Sequence, residues 1–235
     1  FKKPGLVIKK IIRSSISDLI CKGVKPNYIF LSASGNKKNF NKRNLNLIST
    51  SIAEEQKKYD FMLSGGDTTK SDVSSFTVVS LGISKKIVRR NNVKKNDDIY
   101  VTGTLGDSYI GLNILKKKIN LNKKLNNYFI NKYFLPDIPI KLHKHLINFA
   151  NSSIDISDGL FADLYKLINN QKVGFRLYLN KIPISKNLKK LLIQKKLDKI
   201  SFISQGDDYQ ILFTANSFKS RIINKTAKSL GIKIS

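Results

Sequence analysis

Between residues 4 and 24 the apolar positions Leu6, Ile8, Ile11, Ile12, Ile16, Leu19 and Ile20 fall broadly at helical spacing, which predicts a helix with one buried face. Gly23 and Pro26 are its stop signals. The period then shortens: YIFLSAS, residues 28–34, predicts a strand. A polar helix over 44–58, a short strand at 61–63, a glycine turn and the alternating strand 75–81 complete one α/β unit. The segment KKIVRRNNVKKNDD has the composition of a connector, and IYVTGT restarts the strand pattern at Ile99.

The second half reads as a strand over 99–102, a loop TGTLGDS, a helix over 109–118, a Lys/Asn-rich stretch and a helix near 140–150. A short strand SSIDI precedes the helix DGLFADLYKLI, in which Leu160, Leu164, Leu167 and Ile168 share one face. GFRLYL and DYQILFTA are expected to be strands, separated by a Lys-rich helix near 185–197. The reading is an α/β (α+β) chain: residues 1–84, a connector 85–98, and a second α/β domain 99–235. No internal repeat appears at a period of roughly 20–50 residues.

Composition narrows this only in part. With 235 residues and 41% hydrophobic content the chain can bury a real core. No run approaches the roughly 18 apolar residues of a membrane span, and the opening FKKPGLVIKK lacks a signal-peptide core, so no membrane association and a cytoplasmic location are expected. One cysteine, Cys21, excludes an internal disulfide and any multi-thiolate zinc site, and His143 and His145 are the only histidines. A net charge of +27 invites a basic nucleic-acid-binding protein as an alternative reading. The lysines are spread along the whole chain without a basic stripe interleaved with aromatics, so specific nucleic-acid binding is not expected.

The acids are more selective than the bases. Of 16 acids only Glu54 and Glu55 are glutamates, and seven aspartates stand where an apolar element meets a loop: Asp18, Asp67, Asp107, Asp155, Asp158, Asp207 and Asp208. Asp67, in LSGGDTTKSD, reads equally as a placed carboxylate or as a turn residue bonding its own backbone. Asp155 and Asp158 can turn toward one point, although an N-cap is the simpler reading for Asp158 alone. Clustered oxygens without His or Cys suit Mg²⁺, which prefers carboxylates, water and substrate phosphates. There is no GxxxxGK[ST] loop and no HRD or DFG set, so any ATP would be held on another scaffold. The backbone of TGTLGDS, at a helix start, could meet a phosphate.

Taken in order, SISDLICKGVKP, LSGGDTTK, IYVTGTLGDSYIGL, NSSIDISDGLFADL and QGDDYQILFT resemble the thiamine-monophosphate kinases of the aminoimidazole-ribonucleotide synthetase superfamily, over about residues 5–235. The resemblance implies that superfamily's two-domain fold, with 1–84 as the remainder of an ATP- and magnesium-binding domain. It implies transfer of the γ-phosphoryl group of ATP to thiamine phosphate, several Mg²⁺ ions, and a homodimer. It also implies magnesium ligands at Asp18, Asp67, Asp155 and Asp158, nucleotide contacts at Gly66, Asp67, Arg90 and Ser157, and a contact of Asp207 with the thiamine moiety. No covalent nucleophile is implied. GGDTT separates this family from its sisters, another of which, using ATP on a different acceptor, is the alternative. Departures are Lys70 for Arg, NNV for SGA, and QGDDYQ for GGEDYE, the last placing Gln205 and Gln210. The resemblance puts the family's Gly-Asp-Asp and Ser-Thr-Asp metal motifs before Phe1 and its final strands after Ser235. The N-terminal part is therefore expected to be incomplete, and the chain an internal stretch with little activity alone.

Overall fold

The computed structural model describes residues 3–235. α1 (Pro4–Ile20) begins with a proline in its first turn, where a missing N–H costs nothing. Ile8, Ile12, Ile16 and Ile20, four residues apart, are wholly buried along one side. α2 (Lys42–Tyr59) packs beside it, its start fixed by Asn41, whose side chain accepts the Asn44 N–H at 3.0 Å. A buried ion pair joins the two helices. Arg13 donates through Nε and Nη2 to the two Glu55 carboxylate oxygens at 2.8 and 2.7 Å, and through Nη1 to the Pro136 carbonyl at 3.1 Å.

The first sheet is built on β1 (Tyr28–Gly35). β4 (Ser75–Leu81) runs antiparallel along one edge, pairing with residues 28–34 of β1. The other edge is shared by two short parallel strands, β2 (Met62–Gly65) against residues 28–30 and β3 (Thr68–Lys70) against residues 33–35. The expected glycine turn is thus a bulge within one continuing edge rather than a reversal. The extra residue is Ser64, opposite Ile29 and Phe30, and Gly66 lets the edge run on in register: at φ +153° a Cβ there would lie 1.8 Å from the Leu31 carbonyl oxygen, so only glycine lets the backbone press this close. One sheet face meets α1 and α2; on the other, Tyr28, Phe30, Met62, Val79 and Leu81 stand 39 to 59% exposed.

The second sheet has β7 (Ile211–Asn216) at its centre, between β5 (Asp97–Val101) and β6 (Ser152–Asp155), both antiparallel to it. β7 is buried on both faces. Ile211, Phe213 and Ala215 join the cluster built on α1, whereas Leu212 joins Val101 and Ile154 against α6 (Leu160–Ile168). A third cluster lies between α3 (Asp107–Leu115), α4 (Lys123–Phe134) and α7 (Lys186–Lys195), where a Cβ on Gly111 would lie 2.1 Å from the Phe129 carbonyl oxygen.

Three expectations are corrected. GFRLYL is no strand: residues 173–177 run past α6 with Val173, Phe175 and Leu177 packed on its core, giving apolar alternation without a pairing strand among the described residues. The helix near 140–150 is a 3₁₀ turn followed by the single turn α5 (His143–Leu146). The Lys/Asn-rich stretch, conversely, contains α4, capped by Asn122. Two further helices, α8 (Ile200–Ile203) and α9 (Ser220–Leu230), flank β7 in the chain. Among the described residues no helix is long and apolar enough to cross a membrane.

Glu55→Ala leaves the Arg13 guanidinium buried with the Pro136 carbonyl and the Tyr59 ring but no carboxylate, and a buried charge stripped of its partner costs about 3–5 kcal/mol. Urea unfolding is expected to show that loss, and Arg13→Met with Glu55→Leu together is expected to recover most of it.

Candidate functional site

The site grows from three chain segments that converge where the end of α1 packs on the second sheet. The last full turn of α1 delivers Ser17 and Asp18, β6 ends at Asp155, and the connector passes with Arg90. Asp155 is 4% exposed, and the Ser17 hydroxyl donates to its Oδ2 at 2.7 Å. Burial pushes its carboxyl up from 3.8 to about 6, and the neighbouring Asp18 adds to the shift. Asp18 keeps one side open to solvent; burial raises its pKa too, opposed by the charges of Lys22 and Arg90. Lys22 is occupied in part, donating to the Ser153 carbonyl at 2.7 Å.

The other expected ligands have different surroundings. Asp158 is exposed and paired with Lys166. It is not the helix cap that its position suggested. That work is done from inside α6 by Asp163, fully buried, whose Oδ2 accepts the N–H groups of Ser157, Asp158 and Gly159 at 2.9, 2.9 and 3.1 Å. One acid thus shapes the whole Ser157–Asp158–Gly159 turn. Asp67 sits exposed in the link between β2 and β3, with Oδ1 accepting the Thr68 N–H at 2.7 Å, the local bond that a turn aspartate makes. Beside it opens a cavity of about 370 Å³ between Leu31, Phe40, Ile48, Gly66 and Phe76.

Asp207 meets the same turn from the opposite side: its N–H donates to the Ser157 carbonyl at 2.9 Å, and its carboxylate lies 2.6 Å from Lys10 Nζ. Asp208 faces away, fully enclosed. Its carboxylate accepts the Gly106 N–H at 2.7 Å, and burial raises its pKa to about 7. The backbone of TGTLGDS is therefore not open to a phosphate at Gly106, since an internal carboxylate already fills that place. Asp107 is likewise internal, accepting from Tyr128 at 2.9 Å and Ser185 at 2.7 Å. Gln210 is buried in bonds to Thr102 and Asp137.

The structure thus brings Asp18, Asp155 and Arg90 together and places Ser157 against Asp207, while Asp67 and Asp158 have their own partners. Among the described residues no three His, Cys, Asp or Glu side chains form a group able to hold a metal ion unaided. The Asp18 and Asp155 pair nonetheless fits a hard divalent cation: two neighbouring carboxyls, one of them buried with a single hydroxyl as its partner, gain from a positive charge placed between them. Ser17, Lys10 and Asp163 escaped the sequence reading. Asp163 alone left a signal, an acid on the apolar face of a helix.

The domain family described as AIR synthase related protein, N-terminal domain, matches residues 2–84. Thiamine-monophosphate kinase of Buchnera aphidicola subsp. Schizaphis graminum is 37% identical over 228 residues, 95% of this chain and 69% of that protein. The protein of the same name from Escherichia coli K12 is 30% identical, over 97% of this chain and 70% of its own. Among solved structures, thiamine monophosphate kinase from Aquifex aeolicus superposes with a TM-score of 0.86 at 28% identity, covering 92% of this chain and 73% of its own. Its complex with AMPPCP and TMP gives 0.86 as well. The enzyme from Stenotrophomonas maltophilia gives 0.88 at 25% identity, over 99% of this chain and 74% of its own.

The raised Asp155 carboxyl has a definite effect on stability. Between about pH 4 and pH 6 the folded chain keeps a proton that the unfolded chain has released, so without divalent cations this group lowers stability as pH rises through that window. Asp155→Asn is expected to remove this slope, at most about 1.4 kcal/mol per pH unit. Urea unfolding in a chelator at about pH 4.5, 5.5 and 6.5 checks it; an unchanged slope would place the carboxyl at its ordinary value.

Proposed function

The chain belongs to the thiamine-monophosphate kinase family, and from that membership we propose that it phosphorylates thiamine phosphate with ATP, giving thiamine diphosphate and ADP. The observation that carries the site assignment is the junction of Ser17, Asp18, Asp155 and Arg90. A buried carboxylate answered by one hydroxyl, beside a solvent-facing carboxylate and an arginine, is what a metal-bound polyphosphate requires. An oxygen of the acceptor phosphate attacks the γ-phosphorus while the bond to the β–γ bridging oxygen breaks, so the chain supplies position and charge rather than a nucleophile.

Asp18, Asp67, Asp155 and Asp158 would hold magnesium, each with few protein partners, so that phosphate oxygens and water complete the coordination. Bound magnesium would neutralise phosphate charge as it develops. Arg90 and the turn at Ser157 would face the nucleotide phosphates, and Gly66 would admit them to the bulge. The cavity between Phe40 and Phe76 has the flat apolar walls that suit a base. Ser17 orients the Asp155 carboxylate, and Asp158 would exchange Lys166 for the ion. Asp207 would meet the thiamine end. ATP as donor is compatible with a cytoplasmic site of action.

The exposed face of the first sheet supports a homodimer. Tyr28, Phe30, Met62, Val79 and Leu81 lie side by side across three strands, apolar and uncovered, and a second copy would bury them. Phe30→Glu is expected to yield a monomer by sedimentation; an unchanged oligomer would move the interface elsewhere.

The functional reading is tested by chromatographic assay of thiamine diphosphate from the full chain with ATP, thiamine phosphate and Mg²⁺. Asp67→Asn is expected to cost about a hundredfold or more in kcat with the circular dichroism spectrum unchanged. Near-full turnover by this variant would remove Asp67 from the site, and turnover with another acceptor in preference to thiamine phosphate would move the chain to a sister activity.

A further inference from the structure

α1 carries a lysine whose ammonium is shut away from water. Lys10 Nζ lies 4.0 Å from the ring centroid of Tyr133 on α4 and 4.9 Å from that of Tyr209, and its side chain is 12% exposed. Burial lowers its pKa, opposed chiefly by Asp207. The contact of 2.6 Å with Asp207 Oδ1 is an ion pair without the alignment of a good hydrogen bond. Ring faces and carboxylate together compensate a charge that neither would hold alone.

The carboxylate at the other end of this pair is fixed with unusual care. Asp207 and Tyr209 have φ of +69° and +50°, a region that residues with a Cβ seldom occupy. The backbone is held there by Asp207 N–H to Ser157 O at 2.9 Å and Tyr209 N–H to Ile156 O at 2.8 Å, and a Cβ on Gly206 would fall 1.8 Å from Ser157 O. The tip is held as well, because the Tyr209 hydroxyl reaches the same Oδ1 at 3.3 Å. Both restraints converge on Oδ1, so Oδ2 takes no protein hydrogen bond among the described residues, and the side chain remains 31% exposed.

We propose that Lys10 is a positioning residue for the phosphoryl acceptor: it anchors Asp207 through Oδ1 and so leaves Oδ2 to accept a hydrogen bond from the amino group of the aminopyrimidine ring of thiamine phosphate. The inference rests on the assignment of Asp207 to the thiamine end.

Calorimetric titration of the full chain with thiamine phosphate, in the presence of Mg²⁺ and a non-hydrolysable ATP analogue, tests this without relying on turnover. Lys10→Met is expected to weaken thiamine phosphate about tenfold while leaving the affinity for the ATP analogue within about twofold. Because Lys10 acts through Asp207, Lys10→Met combined with Asp207→Ala is expected to bind no worse than Asp207→Ala alone. Additive losses, or an unchanged affinity in Lys10→Met beside a weakened Asp207→Ala, overturn the proposal. Unweakened binding by Asp207→Ala instead overturns the assignment of Asp207, and the role of Lys10 with it. If Lys10→Met does not fold, Tyr209→Phe carries the test: losing one donor to Oδ1 should weaken thiamine phosphate about threefold, and no change counts against the proposal.

Discussion

Everything described above hangs on α1 being immovable. Its isoleucine stripe packs into a core that contains residues of both sheets, and Arg13 ties it to α2 through two hydrogen bonds to one carboxylate. The same seventeen-residue helix carries Lys10, Ser17 and Asp18. A site built on a packed helix keeps its side chains in fixed relation far better than one built on loops. Here the helix holds Ser17 beside Asp155 and Lys10 beside Asp207, two contacts whose partners lie at one end of the second sheet, where the close of β6 pairs with the start of β7.

The buried charges divide into two kinds, and the division separates scaffold from site. Glu55 and Asp163 are enclosed and fully answered, the first by a guanidinium and the second by three backbone N–H groups and Lys166. Asp155 is enclosed and answered by one hydroxyl, with another carboxylate as its neighbour. Burying a carboxylate costs several kcal/mol unless it is paired, so an under-compensated acid where the end of α1 packs on the second sheet persists for a reason other than stability. Asp208 shows that a raised pKa alone is not enough: it is as buried as Asp155, yet it serves as an internal staple to Gly106.

Elements with one strong period were legible in the sequence. The isoleucine stripe of α1, the alternation of β4 and the leucine face of α6 all appear where their spacing placed them. The β2–β3 bulge was hidden because a glycine pair marks a turn and a bulge alike, and only the proximity of Leu31 decides between them. α4 was obscured by its lysines and asparagines, since it buries little beyond Phe129. GFRLYL misled for the opposite reason: its alternation reports a half-buried extended chain, and pairing depends on a neighbour that no local pattern reveals. At the site, the aspartates were visible as residues but their partners were not. Lys10 and Asp207 lie 197 positions apart in a chain with 43 basic residues, so nothing local distinguishes that lysine from the rest.

The double burial of β7 bears on how the chain comes apart. Its odd-numbered residues belong to the core shared with α1 and the first sheet, and Leu212 belongs to the core under α6. Neither core can dissolve while the strand keeps its place, and the strand cannot leave without dissolving both. The two sheets are therefore bound into one cooperative unit, in which partial melting of one half is suppressed by the other, and the pair of Ser17 with Asp155, held between α1 and β6, is spared the local openings that would part it.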